Sequence, residues 1–94
     1  IESKIVSTHY FTARQGAEHA DAYSDTGNLP DSLGLLTFCV LVLRTGHTIV
    51  GKSACVSAAN FDAGLGRKYA REDAIKQMWP LEGYLLSERL YETR

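Results

Sequence analysis

Apolar residues recur along this chain in two rhythms, one of period two and one near 3.6. Leu35-Leu-Thr-Phe-Cys-Val-Leu-Val-Leu43 is apolar on both alternating sets of positions, which predicts a strand covered on both faces. Arg44-Thr-Gly-His47 reads as a tight turn. His47-Thr-Ile-Val-Gly-Lys-Ser-Ala54 alternates more loosely and is expected back as an antiparallel partner, giving a β-hairpin over about 35–54. An isolated hairpin is marginal in water, so a third strand or a covering helix is required. Lys4 to Phe11, rich in β-branched and aromatic residues, predicts a short strand.

The longer rhythm begins after Ser57, a good N-cap residue, and predicts one long helix over about 58–79, ended by Pro80. At about 100° per residue this helix carries two apolar stripes. One is bulky: Phe61, Leu65, Tyr69, Ile75 and Trp79. The other is small: Ala59, Ala63, Gly66, Ala70 and Ala74. Two stripes call for cover on two sides. The sheet is expected on one side, and the C-terminal segment or a second copy of the chain on the other. Trp79 is expected as a core plug at the helix end. Lys68 and Glu72 fall within the bulky stripe, so their stems are expected to snorkel past Leu65 and Trp79. Beyond Pro80, Gly83 marks a bend, and the remainder reads as a short helix or an extended segment.

Near the N-terminus, Thr12-Ala-Arg-Gln15 has the form of a capping box, opening a short helix from Ala13 to about Ala22. Gly16 weakens it by about 1 kcal/mol relative to Ala. Residues 24–34 are turn chemistry throughout and read as a mobile loop without packed structure. The expected fold is therefore α+β: a single domain, 1–94, with a small antiparallel sheet built on the hairpin and packed against the long helix.

Composition narrows the class. Ten Lys and Arg face eleven Asp and Glu in 94 residues, and hydrophobic residues make up 45%. That mix excludes a strongly basic nucleic-acid protein, a low-complexity chain and a disulfide-dense toxin. The longest apolar run, nine residues, is far short of the ~20 needed to span a membrane. Ile1-Glu-Ser-Lys4 lacks the basic-then-apolar order of a signal peptide. Cys39 and Cys55 sit in apolar surroundings and nothing suggests secretion, so both are expected as reduced, buried, small hydrophobes. A turn centred on Thr45-Gly46 puts Cys39 opposite Lys52, three residues or ~10 Å from Cys55, too far for a disulfide. A domain of this size buries only roughly 60–65% of its unfolded surface. With the two-stripe helix and the doubly apolar strand, this predicts a homo-oligomer.

One motif invites a nucleotide-binding reading. Gly46-His-Thr-Ile-Val-Gly-Lys-Ser53 matches G-x-x-x-x-G-K-[ST] at every fixed position. Three consecutive β-branched residues, Thr48-Ile-Val50, favour an extended chain over a curl around an anion. Ala54-Cys-Val56 also separates the motif from the expected helix, and no later strand ends in an Asp for magnesium. The match at 46–53 is read as fortuitous. His9, His19 and His47 fall in three elements without metal-ligand spacing, so no metal or cofactor is expected. A pairing of Cys55 with His47 as nucleophile and base is set aside in favour of a structural thiol. Arg67, Lys68, Arg71 and Lys76 form a basic patch on the long helix and are the candidate interaction residues, although Asp62, Glu72 and Asp73 are interleaved with them.

Leu35–Leu43, then Gly-Lys-Ser-Ala-Cys-Val, Asn60-Phe-Asp-Ala, Gly66-Arg-Lys-Tyr-Ala-Arg-Glu-Asp-Ala and Trp79-Pro-Leu-Glu-Gly-Tyr-Leu-Leu together resemble a known family. It comprises small tailed-phage and prophage proteins named after gene product forty-nine of phage N-four and gene sixty-six of phage Sf-six. The resemblance runs from about Tyr10 to Leu90. It implies a phage or prophage origin, expression in a bacterial cytoplasm and an accessory role. The family has no assigned enzymatic activity, so no catalytic site carries over, and its relatives have an acidic residue where Lys52 stands. No convergent set of acid, base, nucleophile or metal ligands is apparent. The expectation is a non-catalytic protein-binding module acting on a host or phage protein. The alternatives are a nucleic-acid-binding accessory protein using the basic patch, and an oligomeric protein that sequesters a small ligand or nucleotide between subunits.

Overall fold

The computed structural model describes residues 2–19, 22–25 and 27–93. Thr12 closes the expected capping box: its hydroxyl accepts from the Gln15 N–H at 3.2 Å, and the Gln15 side chain accepts from the Thr12 N–H at 2.9 Å. This box joins β1 (Ile5–Thr12) directly to α1 (Ala13–Glu18). His19 is already extended, so α1 stops short of Ala22; Ala20 and Asp21 lie outside the described residues. The expected loop at 24–34 is not wholly without packed structure. Asp31–Leu35 is a 3-10 turn tied to α1, where Arg14 donates to the Leu29 carbonyl and pairs with Asp31 at 3.6 Å. Thr26, within that segment, lies outside the described residues.

The hairpin forms as β2 (Leu36–Leu43) and β3 (Thr48–Ala54). Its register differs by one residue from the expected one: Cys39 faces Gly51, not Lys52. The turn explains the shift. Leu43 and His47 pair directly, the Gly46 N–H donates to the Leu43 carbonyl at 2.8 Å, and Gly46 sits at φ +91°. Three residues therefore make the loop, and its last position requires the left-handed conformation glycine adopts freely. β1 pairs antiparallel with β2, giving a three-stranded sheet in the order β1-β2-β3.

The long helix differs from expectation at both ends. Ser57 makes no capping bond, and only a 3-10 turn, Ala58–Asn60, follows it. The cap is Asp62, whose carboxylate accepts from the Leu65 N–H at 3.1 Å, and α2 runs from Ala63 to Glu92 with Pro80 inside it. Proline removes the bond to the carbonyl four residues back. Pro80 and Lys76 are both exposed. Gly83 bends nothing; the helix passes through it.

The packing decides which of the two stripes meets the sheet. The small one faces the sheet: Ala70, Ala74 and Met78 bury against Cys39, Leu41 and Ile49. A Cβ on Gly51 would collide with the Ala70 carbonyl and the Ala74 amide nitrogen, so the helix lies on bare β3 backbone. The bulky stripe looks outward. Trp79, expected in the core, is 64% exposed, and Leu65 and Tyr69 are also open. Lys68 and Glu72 are exposed with them and snorkel past no covering layer. β2 is likewise covered by α2 on one face only. On the other, Phe38, Val40 and Val42 are half-buried, with Phe11 against Phe38 at 5.5 Å. At about 1.5 Å per residue α2 is roughly 45 Å long, more than the sheet spans, so its last three turns overhang. The radius of gyration, 16.7 Å, exceeds the ~13 Å of a compact 100-residue domain for this reason.

Two polar details carry stability predictions. The Thr37 hydroxyl is buried under Gly66 and has no hydrogen-bond partner among the described residues. Thr37→Val is expected to raise stability by about 1 kcal/mol in urea unfolding, because the desolvated hydroxyl goes unrewarded. Lys4 donates to both oxygens of Glu82 at 2.7 Å, tying the overhang to the start of β1. That hydrogen bond holds the Glu82 carboxyl below the usual carboxylate range, burial opposing and the Lys4 charge assisting. A depressed folded-state pKa contributes stability above the unfolded value, about 4.3, and loses it as pH falls through the folded value. Glu82→Gln is therefore expected to lower the neutral plateau of a melting-temperature-against-pH profile slightly and to flatten its acid limb, with little change at low pH where Glu82 is already protonated.

Candidate functional site

The spacing of Lys68, Arg71, Glu72, Ile75, Lys76 and Trp79 along α2 follows i, i+3, i+4, i+7, i+8 and i+11, which places them on one flank of the helix. Together they line a shallow groove of about 420 Å³. Arg67, the fourth member of the expected basic patch, is not part of it. It turns toward β1 and lines a separate cleft of about 200 Å³ with Tyr10, Gln15, Thr37 and Phe61. The patch seen in sequence is thus two features: three cations around a tryptophan, and one arginine over the sheet end. Asp73, counted there as an interleaved acid, is engaged elsewhere, accepting from the Lys52 backbone N–H at 3.0 Å. That leaves Glu72 as the acid within the groove, beside three cations. Lys68 Nζ stands 6.0 Å from the Tyr69 ring centroid, at the edge of cation–π range.

The other candidate chemistry is dispersed. Residues 48–54 of the phosphate-loop-like motif are β3, extended and in register with β2, so their N–H groups alternate between the two sides of a strand and do not converge. Both cysteines are free thiols, as their expected separation implies. Cys39 is buried, and burial pushes its thiol pKa up, against the nearby Arg71 charge and a hydrogen bond with Tyr10. It is a poor nucleophile on that account. Cys55 is half-buried and donates to the Ser57 carbonyl at 3.1 Å. His47 lies beyond the far end of β3, about 25 Å along the strand, so the two cannot form a pair. His9 and His47 are exposed on different elements, and among the described residues no three of His, Cys, Asp and Glu come together as metal ligands. No helix among them is long and apolar enough to cross a membrane.

Beyond the groove the apolar surface continues. Leu81, Tyr84, Leu86, Leu90 and Tyr91 on the overhanging turns are between 48% and 70% exposed. At about 100° per residue Leu86 and Leu90 fall on the Trp79 side of the helix, and Leu81, Tyr84 and Tyr91 on the other. Sequence reasoning did not single out these residues, and it assigned Trp79 to the core. The signal for the opposite assignment was the small stripe itself, since only Gly and Ala let a helix lie on a strand this closely.

No curated protein and no solved structure matches the chain. A family model covering residues 1–90 does match, and by it the chain belongs to the phage protein (N4 Gp49/phage Sf6 gene 66) family.

Proposed function

We propose that this phage-family protein is a non-catalytic binding module that meets a host or phage protein through the outward flank of α2. The observation that carries the reading is Trp79, 64% exposed and flanked in one groove by Lys68, Arg71 and Lys76. Tryptophan and arginine are the residues most enriched among binding hot spots, and a groove ringed with cations suits a partner segment bearing an apolar anchor beside acidic groups. The split of Arg67 from the other cations, and the presence of Glu72 among them, make a weaker track for nucleic acid.

The test compares wild-type protein with Trp79→Ala as bait in host lysate treated with nuclease. Wild type is expected to capture a protein at stoichiometric yield and Trp79→Ala to lose it at least tenfold. Because Trp79 is largely exposed, the variant's unfolding free energy should stay within about 0.5 kcal/mol of wild type. Absence of any stoichiometric partner would count against the reading. Retention that depends on nucleic acid and falls steeply with salt would replace it with the nucleic-acid alternative.

A further inference from the structure

The two edges of the sheet are finished differently. In the hairpin the Leu43 N–H donates to the His47 carbonyl and the Cys55 N–H to that of Leu35, so odd-numbered residues of β2 bond to β3. Even-numbered residues of β2 therefore bond to β1, through Ser7, His9 and Phe11 opposite Val42, Val40 and Phe38. This alternation turns the backbone groups of Val50 and Lys52 outward on β3, and those of Thr8 and Tyr10 outward on β1.

On β3 two of the outward groups, the Val50 carbonyl and the Lys52 N–H, are taken by α2 side chains. Gln77 Nε2 donates to the Val50 carbonyl at 2.7 Å, and Asp73 accepts from the Lys52 N–H at 3.0 Å. That edge is closed to another strand. On β1 the outward Thr12 N–H is occupied by Gln15, and the register shift between Ile5 and Ser7 disturbs the other end. Between these limits Thr8 and Tyr10 present N–H and C=O groups to which no partner is assigned among the described residues. The strand Ile5–Thr12 contains no Asp, Glu, Lys, Arg or Pro, the residues that usually protect an exposed edge.

We propose that β1 is a dimerisation edge, pairing antiparallel with β1 of a second copy to make a continuous six-stranded sheet. The register argues for a second copy as the occupant. A two-fold axis at His9 sets Thr8 opposite the partner's Tyr10 and Tyr10 opposite the partner's Thr8, so the ladder uses the residues whose groups are open. An axis at Thr8 would run into the irregularity at Ile5–Ser7, and an axis at Tyr10 would need the Thr12 N–H already bound by Gln15. The strand is thus complementary to itself, as a closed two-fold interface requires. With no formal charge between Ile5 and Thr12, the pairing sets no carboxylate or ammonium against its like. α2 packs over β2 and β3, which leaves β1 clear for approach. Pairing would also cover part of Val6 and Tyr10, 61% and 40% exposed in the single chain. Both α2 helices then stand on the same side of the shared sheet, presenting two copies of the outward flank.

The test is light scattering together with cysteine crosslinking in a Cys55→Ser background. Wild type is expected at twice the 10.4 kDa chain mass. His9 faces its own copy at a non-hydrogen-bonded site with Cα atoms about 4.5 Å apart, within disulfide reach, so His9→Cys should oxidise to a covalent dimer. Ser7→Cys, displaced from its copy by four residues or roughly 13 Å, should not. Thr8→Pro and His9→Glu should each shift the protein to monomer, the first by removing a donor and the second by opposing two carboxylates. Helical circular dichroism unchanged from wild type would show that these variants still fold. A wild-type monomer at millimolar concentration would overturn the proposal. So would crosslinking of Ser7→Cys as readily as His9→Cys, or a dimer that survives His9→Glu, either of which would point to another interface.

Discussion

Gly51→Ala is expected to be among the most damaging single-methyl additions this protein can receive, costing about 3 kcal/mol or more in urea unfolding. The new Cβ would meet the Ala70 carbonyl oxygen and the Ala74 amide nitrogen, with the Ala74 Cβ at 2.8 Å. All three atoms belong to one helix backbone or its shortest side chains, so no rotamer change relieves the contact. The helix must lift as a unit and open the seam around Leu41 and Met78. Gly83→Ala is the control. A Cβ there meets nothing within 4 Å, and in mid-helix the change should add about 1 kcal/mol of stability. If Gly51→Ala were tolerated within 1 kcal/mol, the helix could not rest on β3 as described.

Leu41→Ala should cost about 2–5 kcal/mol by the same measurement. Leu41 is fully buried at the centre of the seam, with Cys39, Ile49, Ala70, Ala74 and Met78 around it. Three of those neighbours are small, and a rigid sheet and helix hold them apart, so the space left behind cannot collapse. The upper half of the range is expected. Since a domain of this size has only several kcal/mol in total, a partly unfolded population at 37 °C should be visible by hydrogen exchange. A loss under 1 kcal/mol would mean that the core has another centre.

How much of this was legible beforehand can be followed residue by residue. The hairpin was readable because Leu35–Leu43 has strand composition and Gly46 marks the turn. Its register was not, because a two-residue and a three-residue loop differ only in the backbone geometry around Gly46, and side-chain pattern is blind to that choice. The capping box at Thr12 was readable because both of its hydrogen bonds are local. The helix start was misplaced from Asp62 to Ser57 because several residues there can cap and the pattern does not rank them. The helix end was misplaced at Pro80 because proline's cost, about 3 kcal/mol, is an average. Here most of the residues beyond it, Leu81 to Glu92, are good helix formers, Gly83 being the exception, and Lys4 reaches across 78 positions in sequence to hold Glu82.

The candidate surface shows the same division. Lys68, Arg71 and Lys76 could be grouped from their spacing, while the exclusion of Arg67 depends on where β1 ends relative to α2. The edge clamps Asp73 and Gln77 gave no signal at all, since their partners are backbone groups of a strand more than twenty residues away.

By itself the sequence determined the local elements, their α+β class, the impossibility of a Cys39–Cys55 bridge and the family, because these depend on short-range pattern and on words of residues. Only the tertiary structure decided which stripe of α2 faces the sheet. Hydrophobicity alone favours burying Trp79 and Tyr69. Close packing favours Gly66, Ala70 and Ala74, which let two backbones touch, and a side chain's preference for the interior yields when the approach distance has no room for it.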